Sequence, residues 1–247
     1  MVSVCIATHN GAKFLKQQLE SIIPQIGALD EIVISDDGST DNTLKIINNI
    51  SDKRIKVFRF HQPLNPLKGT QRSLLFASRN FENALKNANG EYIILCDQDD
   101  IWYPDKIDQV MRVLREVDIC KHDFTIINEY GEYKKEGYYN RFYQSKRNWY
   151  YLIKALPFRG CCIAFRRSVL DAAFPFPQKC LQHDSWIGLV AKMINAKFEY
   201  IDKPLIYHRL HSMNASESKK QNSLYYKIKY RSLIICQLLI HKLKYLT

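Results

Sequence analysis

Short apolar runs alternate with segments of helical period along the first half of the chain. Residues 2–7 (VSVCIA), 31–35 (EIVIS), 54–60 (RIKVFRF) and 91–96 (EYIILC) have strand length and are bounded by turn-forming residues. Runs with so few polar interruptions suit strands buried on both faces, as in a parallel sheet. Between the first two, Phe14, Leu15, Gln18, Leu19, Ile22 and Ile23 repeat at helical spacing until Pro24 and Gly27 stop the pattern. Ser39 or Thr40 is placed to cap a second helix that runs to about Ile50. A third helix is predicted over 70–87, ending at Asn89-Gly90, after a loop holding Pro63, Pro66 and Gly69. Pro104 falls near the first turn of a fourth, where its missing N–H costs nothing.

The second half is less regular. Residues 120–150 are rich in Tyr, Lys and Asn and predict one strand with a loop region. Residues 160–165 (GCCIAF) predict a strand, 168–173 a short helix, 183–193 a longer one and 197–201 a last strand. Strands alternating with helices imply an α/β fold, a mostly parallel sheet with helices on both faces. The 247 residues suffice for one sizeable domain, with at most a small appendage. Neither a basic leader with a cleavage site nor an internal repeat is expected. The seven Cys are odd in number and form no C-x-x-C pair, so reduced, mostly buried thiols in a cytoplasmic protein are expected, with no zinc site.

Charge changes this picture in two places. The net charge is +11, and residues 219–247 hold seven Lys or Arg and no Asp or Glu. Positive surfaces attract phosphates of nucleic acid, nucleotides or lipid, although a merely solvated basic face is an equal reading. Against that background, Leu95 to Lys106 (LCDQDDIWYPDK) packs three carboxylates into four residues directly after an apolar run. Ligands of open parallel sheets collect beyond the carboxyl ends of the strands. Three polar turns stand there: Thr8-His9-Asn10, Asp36-Asp37 and Asp97-Gln98-Asp99-Asp100. A divalent cation, Mg2+ or Mn2+, with its preference for hard oxygen ligands, relieves the repulsion and also binds a diphosphate. Each turn alone is commonplace; their order at successive strand ends is far more specific.

The stretches VSVCIATHNGAKFLKQQLESI, EIVISDDGSTDNT and GEYIILCDQDDIWYPDKI resemble the nucleotide-binding half of family 2 glycosyltransferases with the GT-A fold. RGCCIAFRRSVLDAAFPFPQKCLQHDSWIGLVAKMINAKFEYIDKPLIYHRLHSMNAS resembles the acceptor half, and the whole is most similar in type to the bacterial rhamnosyltransferase-like branch. The resemblance implies a nucleotide-sugar-binding half over 1–118, an acceptor-binding half over 119–218 and a basic helical tail over 219–247. It implies an inverting, metal-dependent transferase moving a sugar from dTDP-rhamnose or a UDP-sugar to a saccharide or lipid-linked acceptor of O-antigen or capsule. Thr8, His9 and Asn10 would edge the nucleotide pocket, with His9 where Tyr is common. Asp36 and Asp37 would contact the nucleoside, Asp37 more directly, and Asp97 would face the ribose. Asp99 would hold the metal with Asp100 in support, the choice between these two staying open. Asp184, at a helix start whose dipole favours its ionised form, would be the general base. Arg209 would fork onto phosphate and His211 would ligate the cation. His208 carries no assigned role, and Trp102 and Trp186 suit core packing better than sugar stacking.

Three other classes are weaker. The absence of G-x-G-x-x-G after the first strand speaks against a dinucleotide-dependent oxidoreductase. A nucleic-acid-binding protein is suggested by the charge, yet the candidate site is acidic and no recognition module is visible, so no nucleic acid is expected. A non-catalytic sugar-nucleotide binder is disfavoured by the retained Asp99 and Asp184. Residues 224–246 are helix-like but too often charged to span a bilayer. Lys227, Arg231, His241 and Lys242 share one face, interrupted by Ile234 and Leu238, which suggests peripheral attachment to the cytoplasmic side of the inner membrane, or packing on the domain or another subunit.

Overall fold

A computed structural model describes residues 1–62, 69–137, 148–212, 214 and 224–246. Part of the loop before the third helix, residues 138–147 of the irregular stretch within 120–150 and the link to the C-terminal helix lie outside the described residues. The first half runs β1 (Val2–Thr8), α1 (Leu15–Ile22), β2 (Glu31–Asp36), α2 (Thr43–Asn49), β3 (Ile55–Arg59), α3 (Gly69–Lys86), β4 (Tyr92–Cys96), β5 (Ile101–Trp102) and α4 (Lys106–Leu114). The second half runs β6 (Ile119–Asn128), β7 (Tyr133–Gly137), α5 (Trp149–Ala155), β8 (Ile163–Arg166), α6 (Arg167–Ala173), α7 (His183–Met193), β9 (Phe198–Leu210) and α8 (Leu224–Leu246).

All strands join one sheet, ordered β3-β2-β1-β4-β8-β6-β9-β5, with β7 on the edge of β6. The pairs β3-β2, β2-β1 and β1-β4 are parallel, so the carboxyl ends of β1, β2 and β4 open at the same edge. Beyond β4 the sheet turns mixed, because β8 pairs antiparallel with both β4 and β6, while β9 is parallel to β6. Side chains alternate across each strand, and the two cores follow that alternation. Val4, Ile6, Ile32, Ile34, Ile94 and Cys96 face α1, α2 and α4. Cys5, Val33, Ile93 and Leu95 face α3, α6 and α7. Fully buried side chains such as Leu15, Leu19 and Ile22 on α1 contribute about 1.5–3 kcal/mol each.

Two departures from the sequence pattern position the site. The last strand does not stop near residue 201 but runs thirteen residues to Leu210. Its register on β6 shifts around Asp123, and this irregularity lets the strand pass Pro204. The far end of β9 also pairs with the two-residue β5, Ile101 opposite Tyr207. That pairing fixes the acidic turn before β5 against the residues that follow Tyr207. The second departure is the start of α2, which begins at Thr43 without Ser39 or Thr40 as its cap. Ser39 is engaged elsewhere, as described below.

Helix α8 forms as expected, but part of its basic face, Arg231 and His241, turns inward. Ile234 and Leu238 are buried, the Arg231 guanidinium donates to the carbonyls of Ile153 and Lys154, and His241 Nε2 lies 2.6 Å from the Ala172 carbonyl oxygen. Two of the residues expected to face a membrane are thus held by the domain. Among the described residues, no helix is long and apolar enough to cross a membrane.

Candidate active site

The turn after β1 is held from both sides. Thr8 Oγ1 donates to Asp36 Oδ2 at 2.9 Å, and Asp36 also accepts from the Ser39 N–H at 3.0 Å and the Ser39 hydroxyl at 2.5 Å. Ser39 Oγ in turn accepts the Asn10 N–H, and Asn10 Oδ1 accepts the Thr40 N–H. Asn10 sits at φ 50°, a left-handed conformation that Asn tolerates well. On the other side, Gln98 accepts the His9 N–H at 3.0 Å and returns its amide to the His9 carbonyl at 3.2 Å. A Cβ on Gly11 would come within 2.4 Å of Gln98 Oε1, so a side chain there would push Gln98 out of this position.

Asp36 is therefore buried and fully engaged, whereas Asp37 is half-buried at the rim. Gln62 donates to one Asp37 oxygen at 3.0 Å, and burial raises the Asp37 carboxyl above its usual range. His9 is exposed, its Nδ1 donating to the Asp37 carbonyl. The β1 and β2 turns thus form one wall, with Asp37 and His9 on its open side.

The opposite wall is the turn after β4. Asp97 is pushed up to about 7, first by burial and then by the charges of Asp100 and Asp99. Burial and the Asp100 charge also raise Asp99, although His211 counters them. His211 Nε2 lies 2.7 Å from Asp99 Oδ2, which also accepts from Asn214 at 3.3 Å. Burial works against the Asp100 charge, but His208 and the Arg209 N–H outweigh it and hold this carboxyl low. His208 lies between Asp100, 2.9 Å from its Nδ1, and the Arg159 guanidinium, 2.9 Å from its Nε2.

Arg209 is held at the base of the acidic turn. It is 2% exposed, lies over the Phe14 ring and donates to the carbonyls of Asp99 and Glu129 and to Gln17 Oε1. In this structure its guanidinium ties β9 to the acidic turn and to α1. Trp102 and Trp186 are both core residues at 3% and 2% exposure, and Trp186 donates to the Ala173 carbonyl.

The residues fit a cation. Ligand atoms of Asp97, Asp100, Cys161 and His208 lie within 4.8 Å of one another, adjoining the Asp99–His211 pair. Asp100 Oδ2 is buried and accepts no hydrogen bond among the described residues. Both His208 nitrogens are engaged, and Cys162 and burial keep the Cys161 thiol protonated, so the carboxylates and His211 are the better donors for a hard dication. Asp184 stands beside this cluster in the first turn of α7, partly exposed. Its Oδ2 accepts the Gly160 N–H at 3.0 Å, and the neighbouring Cys161 touches the Asp97 group, so one dipeptide spans both.

Comparison with known proteins decides the family. The model of "Glycosyl transferase family 2" matches residues 3–174. The chain belongs to this family. The family 2 protein is 30% identical over 240 residues to the dTDP-rhamnosyl transferase RfbG of Shigella flexneri, covering 92% of this chain and 78% of that one. It is also 30% identical over 226 residues to the UDP-Glc:alpha-D-GlcNAc-diphosphoundecaprenol beta-1,3-glucosyltransferase WfaP of Escherichia coli, covering 89% and 81%. The crystal structure of S. aureus TarS 1-349 in complex with UDP-GlcNAc superposes with a TM-score of 0.68 at 21% identity, covering 95% of this chain. The chain spans 66% of the length of that structure. The glycosyltransferase thus has a GT-A-type α/β fold.

Sequence reasoning about this glycosyltransferase missed Gln98, Ser39 and Arg159. Gln98 lies between the two aspartates of the D-x-D pattern, and Gly11 was the one signal that a side chain approaches the turn closely. Nothing local marks Arg159, whose partner His208 is far away in the chain.

Proposed function

We propose that the chain is an inverting sugar transferase that uses a nucleoside diphosphate sugar, dTDP-rhamnose or a UDP-sugar, and a saccharide or lipid-linked acceptor of bacterial surface polysaccharide. The observation that carries this is the convergence of Asp37, the Asp97–Asp100 turn with His211, and Asp184 at the carboxyl edge of β1, β2 and β4. The names of RfbG and WfaP support the donor and acceptor classes.

In this reading Asp37 and His9 receive the nucleoside, Thr8 and Asn10 shape the turn beneath it, and Asp36 holds that turn through its three hydrogen bonds. Asp97 lies toward the ribose, and Asp99 and His211 hold Mg2+ or Mn2+, with Asp100 locking the turn. The cation, when bound, supplies Lewis-acid neutralisation of the diphosphate. Asp184 takes the proton of the acceptor hydroxyl as that oxygen forms its bond to the anomeric carbon. The bond from that carbon to the diphosphate oxygen breaks on the opposite face, and the nucleoside diphosphate leaves with the electron pair. The Gly160 N–H and the Ser185 N–H orient Asp184 for this step.

The test is Asp184→Asn with dTDP-rhamnose and UDP-glucose as donors. Transfer should fall about 10²–10⁴-fold, while nucleoside diphosphate binding in the presence of Mn2+ stays within two-fold or so. Undiminished transfer by this variant would remove Asp184 from the reaction.

A further inference from the structure

The three residues that follow β3 each fasten to the acidic turn after β2. The Phe60 N–H donates to the Asp36 carbonyl at 2.8 Å. The His61 ring lies against Gly38, where an added Cβ would stand 3.3 Å from Nδ1. Gly38 itself holds φ 65°, in the left-handed region that favours glycine. Gln62 donates to Asp37 Oδ2 at 3.0 Å and, from the same nitrogen, to the Phe76 carbonyl of α3 at 2.6 Å. A carbonyl can only accept, so the amide nitrogen must face Phe76, and its two hydrogens are shared between Phe76 and Asp37. The other end of the amide, Oε1, is left buried and accepts no hydrogen bond among the described residues. An acceptor buried in this way opposes stability, which points to a use beyond holding the loop.

We propose that Gln62 is a positioning residue for the base of the donor: it holds the Asp37 carboxylate as a fixed acceptor, which favours a base with a ring N–H over one with a lone pair at that place. The main chain of Asp37 is fixed by the N–H it donates to the Thr8 carbonyl at 2.9 Å, and its carboxylate is fixed by Gln62. A carboxylate has acceptor positions on both oxygens, so the bond from Gln62 sets its plane and leaves acceptor positions at the half-buried rim. Uracil and thymine both carry an N–H at N3. Cytosine has nearly the same shape but a bare nitrogen there, and a fixed carboxylate repels it. A carboxylate free to turn can swing to the cytosine amino group instead. Discrimination therefore depends on the restraint as well as on Asp37. This inference rests on the reading above that Asp37 receives the nucleoside.

The experiment measures dissociation constants of UDP and CDP by calorimetry in saturating Mn2+, for the full chain and for Gln62→Ala and Gln62→Met. The two ligands share ribose and diphosphate, so the ratio of their constants isolates the base from the metal, the phosphates and the fold. Wild type should prefer UDP by about 20-fold or more, the worth of one hydrogen bond to a charged group. Both variants should lower that preference at least about five-fold, mainly by weakening UDP. Gln62→Met keeps the length of the side chain, so it answers the case in which Gln62→Ala loosens the loop. An unchanged ratio in both variants would overturn the proposal and leave Gln62 as a tie of the loop, with the placement of the base at Asp37 intact. Equal binding of UDP and CDP by wild type would overturn the proposal together with that placement. Binding of neither ligand by wild type would remove the donor site on which both depend.

Discussion

Two acidic turns flank the end of β1, one after β2 and one after β4, and they resolve the same electrostatic problem in opposite ways. Asp36 is 1% exposed, and the chain surrounds it with three donors from Thr8 and Ser39. At Asp97 the neighbours are Asp99, Asp100 and the Cys161 thiol, and its carboxyl is pushed up to about 7. A buried carboxylate that is fully hydrogen-bonded is part of the scaffold, because nothing is gained by bringing another ligand to it. A cluster whose members raise one another's affinity for protons is short of positive charge, and a dication supplies what the protein withholds. The difference separates Asp36 from Asp97 and Asp99 although all three follow a strand in a similar acidic run.

The sharpest way to break this contrast is at Asp99. Asp99→Asn should reduce transfer by about 10³-fold or more and remove the extra thermal stabilisation that Mn2+ adds to a bound nucleoside diphosphate. Retained metal-linked stabilisation would move the cation to Asp100. The matching change in the other turn should act on the fold instead. Asp36→Ala leaves the Thr8 hydroxyl and both Ser39 donors unpaired and should cost about 3 kcal/mol in urea unfolding. A loss below about 1 kcal/mol would mean the turn is held by something other than this carboxylate.

Next in size is a pH effect. The folded-state pKa of Asp97 lies near 7, above the value of an unfolded Asp, so the native state binds the proton more tightly. Stability of the metal-free protein should therefore fall as pH rises from about 4 to about 7. Asp97→Asn, which cannot ionise, should be more stable than wild type by a few kcal/mol at pH 8 in EDTA, with the gap closing toward pH 4. Saturating Mn2+ should narrow the gap at pH 8. A gap independent of pH would show that Asp97 bears no such penalty.

The half of the molecule that carries the two turns was largely legible because its strands are covered on both faces and must be apolar throughout. Residues 2–8, 31–36 and 92–96 each end at the polar turn that serves the site. The second half hid its most useful strand. Asp202, Lys203 and Pro204 look like a turn, yet β9 carries them through a register shift on β6, and only that extension delivers His208 and Arg209 to the acidic turn and sets His211 just beyond it. The surroundings of Arg209 were hidden for the same reason: a guanidinium beside an acidic motif suggests phosphate, and the carbonyls of Glu129 and Asp99 that accept from it lie far away in the chain. Ser39 looked like a helix cap for a similar reason: local sequence offers a plausible partner, and a residue from the neighbouring strand's turn wins it.

The smallest effect tests whether the two turns are mechanically joined. Gln98 belongs to the β4 turn but clamps the main chain of His9 in the β1 turn through both ends of its amide, and the β1 turn is in turn fastened to Asp36 through Thr8. Gln98→Ala should leave each acidic turn intact and loosen only their connection, costing about 1 kcal/mol. The nucleotide donor KM should rise several-fold while kcat stays near wild type, because the turn that shapes the pocket is freed but the metal and base are not. Gly11→Ala provides the control that does not touch the amide chemically. Its Cβ would stand 2.4 Å from Gln98 Oε1 and must expel the side chain, so the same KM effect is expected. If Gly11→Ala matches wild type while Gln98→Ala does not, Gln98 acts on the donor itself, and the two turns function as independent walls.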